Sequence, residues 1–287
     1  MQNEPLISVI MATFNEPKLF IEESISSILN QTYRNLELLI ADDSTNEETI
    51  KVIDGFASKD DRVIVIRKKE RMGFVNALNE ALHQAKGDYI ARMDGDDISL
   101  PNRFDIQIKY ASTHSEVDVF GGDMYIINEV GDVKSERHYP VTQESIEKMF
   151  VFRSPFAHPT LMFKRDIIDS GFYYNPNYKK AEDVDFLMRL YKNGYVFGNT
   201  GEKLLRYRVV GDLQNKRSKD QWVYNHKARS ENFIWSKPFF SIASWFISLV
   251  YIYAPSFIVS LFYKRENKGK QERELKVVEE SVGESLK

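Results

Sequence analysis

Residues 89–103 read Tyr-Ile-Ala-Arg-Met-Asp-Gly-Asp-Asp-Ile-Ser-Leu-Pro-Asn-Arg. An apolar run of strand length ends here in three carboxylates, Asp94, Asp96 and Asp97, and the sequence then favours a new helix. Unit charges about 4 Å apart repel by roughly 4 kcal/mol at an effective dielectric near 20, so this crowding requires a cation or hydrogen-bond donors. Carboxylate oxygens suit Mg²⁺ or Mn²⁺, and Mg²⁺ commonly completes its shell with substrate phosphates. An acidic surface turn is the alternative, because Asp and Gly are common turn residues.

Strands and helices alternate upstream of this motif. Apolar, β-branched runs predict the strands, and apolar residues at helical spacing predict the helices between them. The predicted strands are 6–13, 36–41, 63–67 and 89–93, and the helices lie near 17–29, 47–56 and 75–85. This order indicates an α/β fold with a mainly parallel sheet flanked by helices. Ligands of such sheets bind beyond the carboxyl ends of the strands.

Polar residues follow the predicted strands at those carboxyl ends. Thr13, Asn15 and Glu16 follow the first strand, Asp42 and Asp43 follow the second, and Arg71 follows the third. Because parallel strands end at the same edge of a sheet, we expect these groups to lie near the aspartates of the fourth strand. A nucleoside diphosphate with a divalent metal is the ligand that this combination favours.

The chain beyond residue 102 has a different pattern. A helix to about 112, strands at 117–122 and 160–164 and a hairpin through 124–133 predict added mixed or antiparallel strands. Near the end of this part, Glu182 and Asp183 precede apolar residues at helical spacing. Acids at a helix start can be explained by the helix dipole and by capping, so these residues leave structural and catalytic roles open.

With these residues in place, the chain resembles the family 2 glycosyltransferases of GT-A type over about residues 5–211. The motifs that carry the resemblance are Ser-Val-Ile-Met-Ala-Thr-Phe-Asn at 8–15, Asp42-Asp43-Ser44, Gly73 to Asn76, Asp94-Gly95-Asp96-Asp97 with Pro101 and Arg103, His158-Pro159, Glu182-Asp183 and Tyr207-Arg208. Each motif alone is weak, whereas the ordered set is specific. The resemblance implies a GT-A catalytic domain at 1–215, with a nucleotide-sugar-binding half at 1–103 and an acceptor-side half at 104–215.

The resemblance also implies roles for individual residues. On the donor side, Asp42 would bind the nucleotide base with Thr13, Asn15 and Arg71 nearby, and Asp94 would lie by the ribose and diphosphate. Asp96 would hold Mn²⁺ or Mg²⁺, with Asp97 in support. Asp183 would be the general base with Glu182 beside it, and His158 and Arg208 would meet the acceptor or the diphosphate. Family members often carry a histidine shortly after the Tyr-Arg pair. Here Val209-Val210-Gly211 follows, so a metal or phosphate contact from that loop is not expected.

The predicted function is therefore an inverting, metal-dependent glycosyltransferase. Its donor would be a nucleoside-diphosphate sugar, with UDP favoured, and its acceptor a saccharide or a lipid-linked glycan of surface polysaccharide or glycolipid assembly. A carboxylate base separate from the metal site permits one in-line displacement, which predicts inversion at the anomeric carbon. Two alternatives stay open, a nucleotide-sugar-binding module without turnover and another Mg²⁺-dependent enzyme of phosphate chemistry, such as a nucleotidyltransferase.

Composition limits the classes of partner and the compartment. The net charge of −3 gives no indication of nucleic-acid binding. The chain has no cysteine, which excludes a disulfide framework, a zinc–thiolate site and a cysteine nucleophile. No basic region precedes an apolar stretch at the N-terminus, so no signal peptide is expected and the catalytic part is predicted to be cytoplasmic.

The C-terminal part predicts contact with a membrane. Residues 216–263 form a basic and then apolar helical segment, in which 238–263 carries no charge, and 264–287 form a charged tail. The serines, the tyrosines and Pro255 favour helices in the membrane interface over one continuous span. We therefore expect peripheral or monotopic attachment to the cytosolic face of the cell membrane. A spanning helix and a helix packed on protein are the alternatives.

Overall fold

A computed structural model describes residues 4–211 and 219–253 of the chain. The strands are β1 (Ile7–Thr13), β2 (Leu36–Asp42), β3 (Val63–Ile66), β4 (Tyr89–Asp94), β5 (Ile98–Ser99), β6 (Val119–Ile127), β7 (Val133–Arg137), β8 (Met162–Lys164) and β9 (Phe197–Arg208). The helices are α1 (Lys18–Leu29), α2 (Glu47–Ala57), α3 (Phe74–Gln84), α4 (Arg103–Thr113), α5 (Gln143–Phe152), α6 (Asp166–Asp169), α7 (Glu182–Lys192), α8 (Lys219–Glu231) and α9 (Pro238–Tyr253), and a 3₁₀ turn covers His158–Thr160. The α/β order predicted for the N-terminal half is confirmed.

The strands of the described residues form one mixed sheet in the order β3-β2-β1-β4-β8-β6-β9-β5, with β7 paired to β6. The first four strands pair in parallel, as the alternating pattern predicts. The later part adds antiparallel pairs of β8 with β4 and β6, together with a parallel pair of β6 and β9. The two halves of the predicted catalytic domain therefore share one sheet, and β5 returns from the first half to pair with β9.

Two apolar layers cover the faces of the sheet. Alternate residues of β1 point to opposite sides, so Ile10 packs with α3 and α7 while Val9 and Met11 pack with α1 and α4. Every residue of β1 and β2 is buried, as is typical of central parallel strands covered by helices on both faces. This burial fixes the strand register, which pairs Thr13 with Asp42 and Ala12 with Asp94 at the carboxyl edge.

Local boundaries differ from the sequence-based expectation in the second half. The expected strand at 117–122 and the first arm of the hairpin form one strand, β6, and Gly131 takes a positive φ of 90° in the turn that leads to β7. The expected strand at 160–164 begins later, because His158–Thr160 forms the 3₁₀ turn. These differences arise because apolar runs and short turns look alike in sequence, whereas pairing across the sheet decides where a strand begins.

Helices α8 and α9 pack on the catalytic part of the chain. The Arg229 guanidinium of α8 donates to the Phe150 carbonyl at 2.6 Å, and Asn232 donates to the Asp185 carboxylate at 3.1 Å. None of the helices described is both long and apolar enough to cross a bilayer. The rest of the segment predicted to meet the membrane, 254–263, and the predicted tail at 264–287 lie outside the described residues, as do 212–218.

Candidate active site

A cleft of about 270 Å³ opens at the carboxyl ends of β1, β2 and β4. It is lined by Ala12, Thr13, Phe14, Glu16, Asp43, Arg71, Phe74, Ala77, Asp94, Gly95, Asp96 and Tyr207. The strand register explains this convergence, since Thr13, Asp42 and Asp94 lie at neighbouring positions of adjacent strands. The structure brings Thr13, Arg71, Asp94 and Asp96 together in this cleft, whereas Asn15 and Asp42 do not line it.

The three carboxylates of the 94–97 motif form a compact cluster. One oxygen each of Asp94, Asp96 and Asp97 lies within 4.8 Å of the others. Asp97 is fully buried, and its Oδ2 atom has no hydrogen-bond partner among the described residues. Burial and then the charges of Asp94 and Asp96 raise the pKa of Asp97 well above its ordinary value. A divalent cation would satisfy the orphaned oxygen and reverse this repulsion, so these residues fit a metal site.

Arg208 lies behind this cluster. Its backbone N–H donates to Asp97 Oδ1 at 2.8 Å, and its Nε donates to the Asp96 carbonyl at 2.9 Å. Nη1 donates to the Glu129 carbonyl at 2.7 Å, and Nη2 contacts the Glu23 carboxylate. The side chain is buried and holds the motif in place. Its contact with an acceptor or diphosphate stays a prediction, while the neighbouring Tyr207 is the residue of the pair that lines the cleft.

The two aspartates at the carboxyl end of β2, Asp42 and Asp43, have different surroundings. Asp42 is buried and accepts hydrogen bonds from the Thr13 hydroxyl at 3.0 Å, the Ser44 N–H at 2.9 Å and Arg67 Nε at 2.8 Å. Asp43 lines the cleft and accepts from the N–H groups of Met72 and Gly73, which holds the loop before α3. Binding of the base by Asp42 stays a prediction, and Asp43 is the carboxylate that reaches the cleft surface.

Asn15 and Arg71 shape the same edge in different ways. Asn15 has a positive φ of 59°, and its side-chain oxygen accepts from the N–H groups of Thr45 and Asn46 at 2.8 and 2.9 Å. It therefore joins the loops that follow β1 and β2. The Arg71 guanidinium lies 3.6 Å above the Phe14 ring, and both residues line the cleft. Arg71 thus presents a positive charge to the cleft.

Glu182 and Asp183 begin α7 directly after Ala181, which has a left-handed backbone with φ 57°. Strained backbone of this kind is concentrated at functional sites. Asp185, in the same turn, is buried and bonds to Arg189 at 2.8 Å, so its role is structural. Among the residues described, no side chain donates a hydrogen bond to Asp183. The carboxylate accepts hydrogen bonds from the backbone N–H groups of Asp183 and Val184. A half-buried carboxylate at this position can accept a proton.

Burial raises the pKa of both acids of this pair. The pKa of Glu182 is raised to about 7, first by burial and then by the charge of Asp183. Burial also raises the pKa of Asp183, while the positive charges of Arg92 and Arg229 oppose this change. Titratable groups with raised pKa values in a cleft are candidates for acid–base chemistry.

His158 contacts this pair from the side. Its Nε2 lies 2.9 Å from the Tyr174 hydroxyl, and its Nδ1 lies 3.9 Å from Glu182. Burial, with the Arg92 charge, lowers the pKa of His158 well below its ordinary value. We therefore treat the ring as neutral, so its contact with Glu182 is no ion pair. A direct contact of His158 with an acceptor stays a prediction.

A second cleft of about 150 Å³ contains the Asp183 side chain. Its lining residues are Arg137, Tyr139, Arg153, Ser154, Phe156, Ala181, Asp183, Val184, Gln221, Trp222 and Asn225. The structure therefore places the carboxylate cluster and Asp183 in different clefts.

Comparisons with known proteins identify the family. The sequence profile described as glycosyl transferase family 2 matches residues 8–172, more than half of the chain. The chain belongs to glycosyl transferase family 2. An uncharacterised glycosyltransferase of Methanocaldococcus jannaschii is 31% identical over 280 residues, which cover 93% of this chain and 95% of the relative. The O-antigen biosynthesis glycosyltransferase WbnJ of Escherichia coli is 38% identical over 208 residues, 71% of this chain and 80% of that protein.

Solved structures confirm the GT-A-like fold of this glycosyltransferase. Residues 1–349 of Staphylococcus aureus TarS in complex with UDP-GlcNAc superpose with a TM-score of 0.62 at 22% identity, over 78% of this chain and 66% of that one. The mannosyltransferase PcManGT of Pyrobaculum calidifontis, in complex with GDP-Man and Mn²⁺, has a TM-score of 0.60 at 17% identity, over 88% and 73%. At these identities the likeness establishes the fold alone.

Two residues of this family 2 glycosyltransferase, Glu16 and Arg92, were given no role from sequence, although Glu16 was among the expected strand-end polar groups. Glu16 lines the first cleft, and burial, with Asp96 and Asp94, raises its pKa to about 7. Arg92 is buried, contacts Asp94 and leaves Nε and Nη1 without a partner among the described residues. Glu16 follows β1 among the strand-end polar groups, which is a usable signal. The sequence also contained a signal for Arg92, because a charged residue inside an apolar strand requires a partner.

Proposed function

We propose that this chain is an inverting glycosyltransferase that depends on a divalent metal. It transfers a sugar from a nucleoside-diphosphate sugar to a hydroxyl of a saccharide or lipid-linked glycan. The observation that carries the proposal is the division of the carboxylates between the two clefts. The cluster of Asp94, Asp96 and Asp97 suits a metal and a diphosphate, whereas Asp183 faces a separate cleft suited to an acceptor.

The chemistry assigns a task to each cleft. When bound, Mn²⁺ or Mg²⁺ at Asp96 and Asp97 supplies positive charge to a departing diphosphate. Asp183 removes the proton of the acceptor hydroxyl as its oxygen forms a bond to the anomeric carbon. The bond from that carbon to the diphosphate oxygen breaks, and the electron pair leaves with the nucleoside diphosphate. A single displacement of this kind inverts the anomeric configuration.

The donor half is assigned by chemistry and by likeness. Thr13, Asp43 and Arg71 line the first cleft beside the carboxylates, and we propose that they and Asp42, Asn15 and Asp94 bind the nucleotide and diphosphate. UDP is the first nucleotide to test, since TarS structures contain UDP and UDP-GlcNAc, and GDP is the second, since the PcManGT structure contains GDP-Man. Both choices are supported by fold likeness.

The test of this function is a panel of nucleotides and nucleotide sugars, measured by thermal shift with Mn²⁺, with Mg²⁺ and with chelator. One nucleoside diphosphate and its sugars should raise the melting temperature only when metal is present, because ligand binding to the folded state stabilises it by mass action. NMR of the transfer product should show the inverted anomer. A folded protein that responds to no nucleotide under any metal condition would contradict the donor site.

The acceptor and its location are inferred from α9 and from the relatives. Relatives of the chain are named for O-antigen and amylovoran biosynthesis, and we propose an acceptor in surface polysaccharide or glycolipid assembly. Helix α9 buries Ser241, Ser244 and Ser248 against the protein and exposes six of its large apolar residues. The exposed residues include Phe239 at 86%, Phe246 at 59% and Ile242 at 56%.

This outward apolar face supports attachment to a membrane surface. A helix packed on its own domain normally buries its apolar side, whereas α9 buries three serines beside Phe240 and leaves large apolar residues exposed. Aromatic residues beside basic groups such as Lys237 are typical of helices that lie in the membrane interface. We therefore propose that the enzyme works on the cytosolic face of the membrane through α9, with the active-site domain in the cytoplasm.

We expect the triple variant Phe239→Ser, Ile242→Ser, Phe246→Ser to lose most sedimentation with vesicles of phosphatidylethanolamine and phosphatidylglycerol. Each substitution removes an exposed apolar side chain worth about 1.5–3 kcal/mol of burial. The double variant Val130→Ser, Val133→Ser changes exposed apolar residues near the turn between β6 and β7 and serves as the control. A wild-type chain that stays in the supernatant would contradict the attachment.

A further inference from the structure

Two arginines, Arg137 and Arg153, line the cleft that contains Asp183. Among the described lining residues, Asp183 contributes one carboxylate beside these two guanidinium groups. A third, Arg229, is buried behind the lining residue Asn225, to which its Nε donates at 2.7 Å, and it interacts electrostatically with Asp183. A neutral sugar hydroxyl does not require this charge.

Arg137 is the cation best placed to bind a ligand. It ends β7, is half-buried and lines the cleft. Two other charged residues of β7 form ion pairs: Glu136 pairs with Lys203 at 2.8 Å, and Lys134 pairs with Asp132 at 3.4 Å. The Arg137 guanidinium makes no hydrogen bond or ion pair with any residue in 4–211 or 219–253. Five donors in a planar fork therefore remain available to an anion.

Arg229 adds a second independent observation. The residue is 2% exposed, and its Nη1 donates to the Phe150 carbonyl at 2.6 Å. Its Nη2 is buried without a hydrogen-bond partner among the described residues, and none of their carboxylates forms an ion pair with it. A buried charge is costly unless it is paired, so a site for negative charge nearby offsets this cost.

We propose that the acceptor carries an anionic group, a phosphate ester or a carboxylate, that binds to Arg137 beside Asp183. The inference rests on the proposed function, because it takes this cleft as the acceptor site. Arg153 and the buried Arg229 add positive charge, and Asp183 meets the hydroxyl that is to be glycosylated. Such an anion could belong to an acidic sugar or to the phosphate that links a glycan to a lipid.

The position of α8 brings this cleft close to the proposed membrane face. Gln221, Trp222 and Asn225 of α8 line the cleft. The Trp222 ring stacks on Tyr251 of α9 with ring centres 4.3 Å apart. A phosphate at the end of a lipid chain would therefore be one helix away from the apolar face of α9. The Trp222 and Tyr139 rings supply flat surfaces for sugar rings within the same cleft.

The experiment compares three probes that share glucose, namely octyl glucoside, octyl glucuronide and a short prenyl diphosphate glucose. Calorimetry measures their binding to the full chain, with and without the nucleotide and metal found in the panel. We expect one or both anionic probes to bind about 10- to 100-fold more tightly than octyl glucoside, as hydrogen bonds to charged groups allow. The preferred anion then distinguishes an acidic sugar from a lipid-linked phosphate.

Arg137→Gln should remove this preference and leave nucleotide binding unchanged. Lys134→Gln, on the same strand but outside the cleft, is the control and should keep it. Equal binding of the three probes to the wild type, binding of none, or a preference that survives in Arg137→Gln would each overturn the anion site. A wild type that binds no nucleotide would instead contradict the proposed donor site, so failure of the anion site and failure of the donor site are distinguishable.

Discussion

Asp183→Asn is expected to lower sugar transfer by about 10²- to 10⁴-fold while donor binding stays within about twofold of the wild type. The amide keeps the shape of the carboxylate but cannot accept the proton of the acceptor hydroxyl. Donor binding is retained because Asp183 lines the second cleft and not the first. Single-turnover transfer and metal-dependent nucleotide binding, measured on the same samples, separate the two effects.

Glu182→Gln is the matched comparison for this prediction. The charge of Asp183 helps to raise the pKa of Glu182 to about 7, so Glu182 is still neutral when Asp183 ionises. A neutral amide at position 182 should therefore leave the rising limb that Asp183 sets in the pH–rate profile at its wild-type position, and only an ionisation near pH 7 should be lost. We expect this variant to keep measurable transfer. Parallel loss of transfer in Glu182→Gln and Asp183→Asn would exclude Asp183 as the sole base.

Asp96→Asn is expected to abolish the metal-dependent part of nucleotide binding and to reduce transfer to background. The substitution removes a charged ligand from a cluster in which Asp97 is buried with an orphaned oxygen. In chelator, the variant and the wild type should respond alike to nucleotide, because neither then holds the metal. Thermal shift with UDP or GDP, in Mn²⁺ and in chelator, measures both effects.

Asp61→Asn is a suitable control for the metal site, since Asp61 is an exposed carboxylate in the loop before β3. It should keep the full response to metal and nucleotide. If the Asp96→Asn variant still responds to nucleotide only when metal is present, Asp96 is not a ligand of the metal. Equal loss of donor binding in Asp96→Asn and Asp183→Asn would contradict the division of roles between the two clefts.

Much of the N-terminal half could be predicted from local sequence. Apolar runs such as 6–13 and 36–41 are buried strands, and the helical spacing after residue 17 is borne out by α1. The family and the enzyme class are also confirmed. The second half was harder, because β6 pairs with β7, β8 and β9 and its extent depends on all three. No window of sequence contains that information.

Only the local features of the candidate site could likewise be predicted from sequence. Charge crowding at 94–97 is a local property, so the sequence could predict a cation site there. The burial of Arg208 could not be predicted, since its backbone bonds to Asp97 from 111 positions away in the chain. The contrast between Asp42 and Asp43 likewise depends on Arg67 and Thr13, which come from other strand ends.

By itself, the sequence determined the order of strands and helices, the carboxylate cluster and the family, because periodicity and charge spacing are properties of neighbouring residues. Only the tertiary structure decided that Arg137 and Asp183 share a cleft and that α9 turns its serines inward. The physical reason is that burial and pairing depend on which distant segments meet, and many apolar and charged residues could satisfy the same local pattern.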